Sequence, residues 1–102
     1  MVNTNVAKCL VVSKVIVADG MVGDSERAFL EGMIRSLGLS DAERQHVIDL
    51  EGLDEADGIV RELPLEERRE LIALLVDAAG ADGKLSPYEL RMVQKITVAL
   101  GL

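Results

Sequence analysis

Four carboxylates stand in a repeated pattern. Asp19 and Glu26 lie in the stretch ADGMVGDSE, Asp82 and Glu89 in the stretch ADGKLSPYE, and the two align without a gap at an offset of 63 residues. An aspartate before a glycine, with a glutamate seven residues further on, suits two kinds of chemistry. In one, Asp19, Glu26, Asp82 and Glu89 converge on a hard divalent cation (calcium, magnesium or manganese) that both copies share, with helix-end carbonyls as further donors. In the other, each unit is turn and cap chemistry. The aspartate then accepts backbone N–H bonds from the following turn, and the glycine takes the positive φ that ends a helix. Glu89 closes a capping box with Ser86, and Glu26 holds the same place in the first copy, where Gly23 replaces the serine. Both readings stand on the sequence alone. The aspartates add a constraint: a carboxylate at a helix C-terminus opposes the macrodipole, so each must gain a partner.

A standard calcium hand does not fit. Asp19, Gly20, Val22 and Glu26 match the fifth, sixth, eighth and twelfth loop places, and Asp82, Gly83, Leu85 and Glu89 do the same. The first and third places fall on Val15 and Val17 in one copy and on Ala78 and Gly80 in the other, none of which offers a side-chain oxygen. Other chemistries are thinly supplied. Cys9 lies in an apolar run and reads as a core thiol, and His46, the single histidine, reads as a surface residue. One His and one Cys exclude zinc held by nitrogen and sulfur ligands. No nucleophile–base set and no glycine-rich phosphate loop is present, and paired carboxylates alone do not define a hydrolase. The chain is expected not to be an enzyme and to carry no cofactor beyond the candidate cation.

The elements that position these residues follow from composition and periodicity. The 102 residues carry 11 bases and 18 acids, a net charge of −7, with 49% apolar and 2% aromatic residues. That is one domain, 1–102, with enough apolar surface for a core. An acidic chain whose only aromatics are Phe29 and Tyr88 offers neither a phosphate-binding patch nor a base-stacking platform, so no nucleic-acid partner is expected. No apolar run is long enough to insert in a membrane. With one cysteine and no signal-peptide pattern, a cytoplasmic setting is expected. The negative excess is local: residues 41–70 hold eleven acids and four bases.

Six helices and no strand are predicted, an all-α bundle. The first spans about 6–18, apolar on most sides and therefore central, capped by Asn3, Thr4 or Asn5. The second spans 24–37. Ser40-Asp41-Ala42-Glu43 opens the third as a capping box, with Val47, Ile48 and Leu50 as its apolar face, and Gly52 breaks it. Asp54 caps the fourth, which Pro64 stops. The fifth runs from Leu65 to Ala79 with Leu71, Ile72, Leu74, Leu75, Val76 and Ala78 buried. Ser86 and Pro87 open the sixth, which buries Leu90, Met92, Val93, Ile96 and Leu100. Residues 18–39 and 81–102 are identical at seven of 22 positions. The bundle is thus read as two helix–turn–helix units, about 6–39 and 65–102, pseudo-symmetric and bridged by the acidic helices of 41–63. Val22 and Leu85 would anchor the two turns.

The doubled Ala-Asp-Gly-x-(Val or Leu)-x-x-x-Glu, followed by a helix ending Leu-Gly-Leu, resembles the TerB-like family, named for tellurite resistance. The stretch Leu63-Pro64-Leu65-Glu66-Glu67-Arg68-Arg69 is also similar to that family. The resemblance covers nearly the whole chain. It implies a compact helical bundle, bacterial and cytoplasmic, that serves tellurite or general stress resistance in company with other proteins and without a defined enzymatic activity. Related domains are fused to other modules, including a membrane-anchored DnaJ-type co-chaperone. It also implies metal binding by acidic residues, which here means Asp19, Glu26, Asp82 and Glu89. Gly23-Asp24 departs from the Ser-Pro usual at that place and weakens the cap of the first copy. The competing expectation is a metal-independent adaptor that binds protein partners through the acidic 41–70 face.

Overall fold

Helix α1 (Thr4–Ile16) is the post around which the other helices stand. The others are α2 (Asp24–Ser36), α3 (Asp41–Ile48), α4 (Leu53–Arg61), α5 (Leu65–Ala79) and α6 (Pro87–Ala99). The computed structural model describes residues 2–18, 23–81, 83 and 86–102. No strand occurs among the described residues, and the fold is all-α. α1 packs against all five other helices, which accounts for its lack of a polar face. Val6, Leu10, Val11, Val12 and Val15 are buried on every side of it, together with Cys9 and Ser13. Burying each such aliphatic side chain contributes roughly 1.5–3 kcal/mol, so α1 is the largest single source of core stabilisation. Ser13 is tolerated there because its hydroxyl donates to the Cys9 carbonyl at 2.9 Å.

The corresponding ends of the two hairpins use the same local bonds. At the end of α2 the Leu39 amide donates to the Ile34 carbonyl at 3.1 Å, with Gly38 at φ +70°. At the end of α6 the Leu102 amide donates to the Thr97 carbonyl at 3.0 Å, with Gly101 at φ +76°. Both are Schellman-type stops, so Leu-Gly-Leu is a helix-ending signal in both copies. The Ala18 amide donates to the Val15 carbonyl at 3.1 Å, and that of Ala81 to the Ala78 carbonyl at 3.3 Å.

Several boundaries and burial expectations are corrected. α1 starts at Thr4 and ends at Ile16, two residues ahead of the expected span, and Asn3 is its cap, accepting from the Val6 amide. α4 is capped by Gly52, not Asp54; a left-handed Gly52 (φ +85°) starts the helix at Leu53 and leaves Asp54 in its first turn. Leu50 holds the left-handed position at the end of α3, with φ 56°, where glycine is usual. Ile48, Val76 and Leu90 are exposed, although each was expected to face the core. Each follows a fully or nearly buried neighbour (Val47, Leu75 and Glu89) and so lies about 100° round the helix from the core-facing direction. Ile72 and Leu74 are half-buried. Cys9 is in the core as expected, and His46 is partly exposed, its Nδ1 3.4 Å from a Glu51 carboxylate oxygen. Among the described residues no helix is long and apolar enough to cross a membrane.

Candidate functional site

The starts of α2 and α6 are built alike and aim the same residue inward. Glu26 is the third residue of α2 and Glu89 the third of α6. Ser86 caps α6, its hydroxyl accepting the Glu89 amide at 3.0 Å. Gly23 has no side chain to do this for α2, and only the return bond forms: the Gly23 amide donates to Glu26 Oε1 at 3.1 Å. In this geometry a third-position side chain folds back over the helix start. On α6 that side chain lies on the same face as Val93 and Ile96, which are buried.

Both glutamates are buried, Glu26 being 4% and Glu89 2% exposed. Their carboxyl groups are close enough that Glu26 acts directly on the protonation of Glu89. Among the described residues, Oε2 of Glu26 and Oε2 of Glu89 are each buried without a hydrogen-bond partner. Two adjacent buried carboxylates do not both stay ionised. Burial is the main cause that pushes Glu89 up to about 7, and the neighbouring Glu26 carboxyl adds to it. The Ser86 hydroxyl and amide oppose the shift. Each carboxyl also sits at a helix N-terminus, where negative charge is favoured by about 0.3–1 kcal/mol. The site therefore has two chemical outlets: Glu89 takes up a proton, or the two carboxyl groups give their free oxygens to a hard cation in place of that proton.

Of the four candidate ligands, the structure brings Glu26 and Glu89 together. Asp19 and Asp82 lie outside the described residues, as do Gly20, Met21, Val22 and Leu85. No group of three or more His, Cys, Asp or Glu that could hold a metal occurs among the described residues. Gly83 has a positive φ, 81°, but it lies in the turn beyond α5 and does not end that helix, whose cap is Gly80 at φ −93°.

The acidic segment 41–70 is partly spent on holding the fold. Glu43 accepts from the Asn3 side chain at 2.7 Å and from the Ser40 amide at 2.9 Å, completing the expected capping box. Glu55 accepts from the Val2 amide at 3.2 Å. Asp57 pairs with Lys14 at 3.4 Å and Glu67 with Lys8 at 3.5 Å. These bonds tie α3, α4 and α5 to α1 and its leading residues. The segment's spacing carries no signal for them, since the partners are up to 59 residues away in sequence. Burial pushes the Cys9 thiol up to about 12, which makes it unreactive as a nucleophile.

A family model described as tellurite resistance protein TerB matches residues 5–102. No curated protein and no solved structure matches the chain.

Proposed function

Because the chain belongs to the TerB family of tellurite resistance proteins, we propose that it is a non-enzymatic stress-resistance domain that works with other proteins in the cytoplasm and holds a divalent cation between its two helix hairpins. The observation that carries the cation is the Glu26–Glu89 pair, with one buried, unpartnered carboxylate oxygen on each side. Such oxygens suit calcium, magnesium or manganese, which take hard oxygen ligands, and a cation would remove the cost of two facing anions. Glu26 and Glu89 would be its ligands from the helix starts, and Asp19 and Asp82 complete the proposed set. Bound cation would then hold the α2 and α6 starts together, so its presence sets the surface that partner proteins meet.

Manganese tests this directly. Added to isotope-labelled protein at sub-stoichiometric amounts, it should broaden the amide signals of residues 24–27 and 87–90 first. Glu26→Gln with Glu89→Gln should abolish the broadening. Signals that stay sharp at millimolar manganese, or broadening centred on the exposed acids of α4, would overturn the cation site.

Metal-independent docking through the 41–70 face is the competing reading. It draws on the exposed carboxylates of Asp54, Glu62 and Glu66 and on the exposed Leu65 beside them in sequence. Charge reversal at Glu51, Glu62 and Glu66 should abolish partner capture on that reading, while Glu26→Gln with Glu89→Gln should leave it intact.

A further inference from the structure

A cleft of about 290 Å³ opens between α1, α4 and α6, running along α6 from Met92 to its end. Its wall is apolar, formed by Val60, Met92, Ile96, Ala99 and Leu100. Its charged rim is Lys14, Asp57, Arg61 and Lys95. In a chain of net charge −7, this is a local excess of positive charge. Lys14 and Asp57 neutralise each other at 3.4 Å. The remaining ion pairs among the described residues are Lys8–Glu67, Arg44–Glu31 and His46–Glu51, so Arg61 and Lys95 have no acidic partner there. Two further clefts among the described residues carry less of it, one a single uncompensated cation, Arg27, and the other none. The one bordered by α1, α2 and α3 has Arg27, Arg44 and Glu31 at its edge, and Arg44 is bound to Glu31 through Nε at 3.0 Å. The groove between α2 and α5 carries Lys8, already held by Glu67, and the acid Glu70.

We propose that the cleft between α1, α4 and α6 binds an aliphatic monocarboxylate, its carboxylate between Arg61 and Lys95 and its alkyl chain along Val60, Met92 and Ile96. An apolar wall with a few convergent charges is the usual build of a small-molecule site. At about 290 Å³ the cleft lies at the small end of the range for small-molecule sites, which suits a short amphiphile such as octanoate. An inorganic anion would leave the apolar wall uncovered. A cationic amphiphile would meet Arg61 and Lys95 head-on. The site shares no residue with the Glu26–Glu89 pair and stands or falls independently of the cation.

Octanoate titrated into isotope-labelled protein, below its aggregation range, is the test. Saturable amide shifts are expected at Val60, Arg61, Met92, Lys95 and Ile96. Octanol should bind about ten-fold more weakly and octylammonium should not bind. Each exposed charge contact is worth up to about a five-fold change in affinity, so Arg61→Gln with Lys95→Gln should weaken octanoate by about ten-fold or more. Both positions are exposed helix sites where glutamine is well tolerated, so the fold should survive. Ala99→Phe, at the exposed lip of the cleft, should block binding while preserving the remaining spectrum. Three results would each overturn the site: no saturable shift at millimolar octanoate, equal affinity for octanol, or undiminished binding by the Arg61→Gln, Lys95→Gln protein.

Discussion

Glu26 and Glu89, 63 residues apart in sequence, meet as a buried pair of carboxyl groups at the starts of α2 and α6. Each is the third residue of its helix, and the two align position for position in the internal repeat. A core that turns two acids toward each other is under tension unless a proton or a cation sits between them.

Replacing one member of the pair by its amide removes that tension. In Glu89→Gln the side chain is neutral at all pH values and has N–H groups to offer to Glu26 Oε2, which is otherwise without a partner. In chelator at pH 7.5 this variant should be more stable by about 1 kcal/mol, the worth of one such hydrogen bond. For a domain of this size that raises Tm by roughly 4–8 °C. Thermal denaturation followed by circular dichroism checks it; a lower Tm of similar size would mean that the two carboxyls do not meet.

The same pair sets a pH dependence with a definite sign. Glu89 titrates at about 7 in the folded protein, well above the ordinary carboxylate value of 4.5 that it regains on unfolding. Between these values the folded state binds more protons than the unfolded one. The resulting stability is fully present below 4.5 and is lost as pH rises through 7. The groups facing Glu89 among the described residues are Glu26 and Ser86, and neither offers a compensating positive charge. Metal-free protein should therefore melt at a higher temperature at pH 5.5 than at pH 7.5. Glu89→Gln should flatten this difference. Saturating manganese should remove it, because a bound cation displaces the proton at both pH values and the unfolded carboxylate is already ionised there. Below pH 5 an opposite trend enters, since Arg44 holds Glu31 below the usual carboxylate value.

Arg68 fastens two helix ends to each other. Its Nε donates to the Leu63 carbonyl at 2.9 Å, just past α4, and its Nη1 donates to the Leu100 carbonyl at 2.6 Å, just past α6. Both are C-terminal carbonyls without a full set of helical partners, where a cation is favoured. Arg68→Met keeps most of the aliphatic stem and deletes both bonds. It should cost about 1.5–3 kcal/mol, the range for hydrogen bonds to a charged group. Urea denaturation should show the loss, with faster amide exchange at Gly101 and Leu102. Arg68→Lys should recover only part of it, since one ammonium does not reproduce the guanidinium's spread of donors.

How much of this was legible in the sequence depends on whether the signal is local. The helices, the caps at Asn3, Ser40 and Ser86, and the Leu-Gly-Leu stops are written in neighbouring residues, and the structure reproduces them. The central place of α1 was legible too, because a helix without a polar face must be surrounded. Three exposed apolar residues were misassigned because periodicity gives the angle of a stripe but not its centre. In α6 the stripe is centred on Glu89, and a glutamate at the core-facing position shifts the apparent face toward Leu90. Leu50 in a left-handed conformation was invisible for a related reason: the α3 stop depends on the turn that follows and not on a glycine at that place. The repeat pointed to Glu26 and Glu89 as equivalent residues, yet their contact depends on how two hairpins stack. So do the cross-chain tethers of Glu55, Asp57 and Glu67.

Cys9 offers a probe of opening. It is fully buried and its thiol is pushed up to about 12, so neither access nor ionisation permits reaction in the folded state. Alkylation by iodoacetamide at pH 8 should follow global unfolding, slowing when manganese or Glu89→Gln stabilises the domain and quickening in Arg68→Met. A rate equal to that of an unfolded peptide thiol would place Cys9 outside the core.

Gly52 tests the packing of the leading residues on α4. Its φ of +85° is strained for any side chain, and a Cβ placed there would lie 2.7 Å from Val2 Cγ2. Val2 cannot simply withdraw, because its amide is held by Glu55 at 3.2 Å and its side chain is 9% exposed. Gly52→Ala should therefore combine the left-handed strain, about 1–3 kcal/mol, with the cost of displacing Val2. Val2→Ala alone should cost about 1 kcal/mol in lost burial. The double variant separates the two effects, since alanine at position 2 removes the atom that the new Cβ would strike and leaves the backbone strain untouched. Its destabilisation should fall short of the sum of the single variants by about 0.5–1 kcal/mol, the coupling expected of residues in contact. Strict additivity in urea denaturation would show that Val2 does not rest on Gly52, and that the chain ahead of α1 is held by the Glu55 and Glu43 bonds alone.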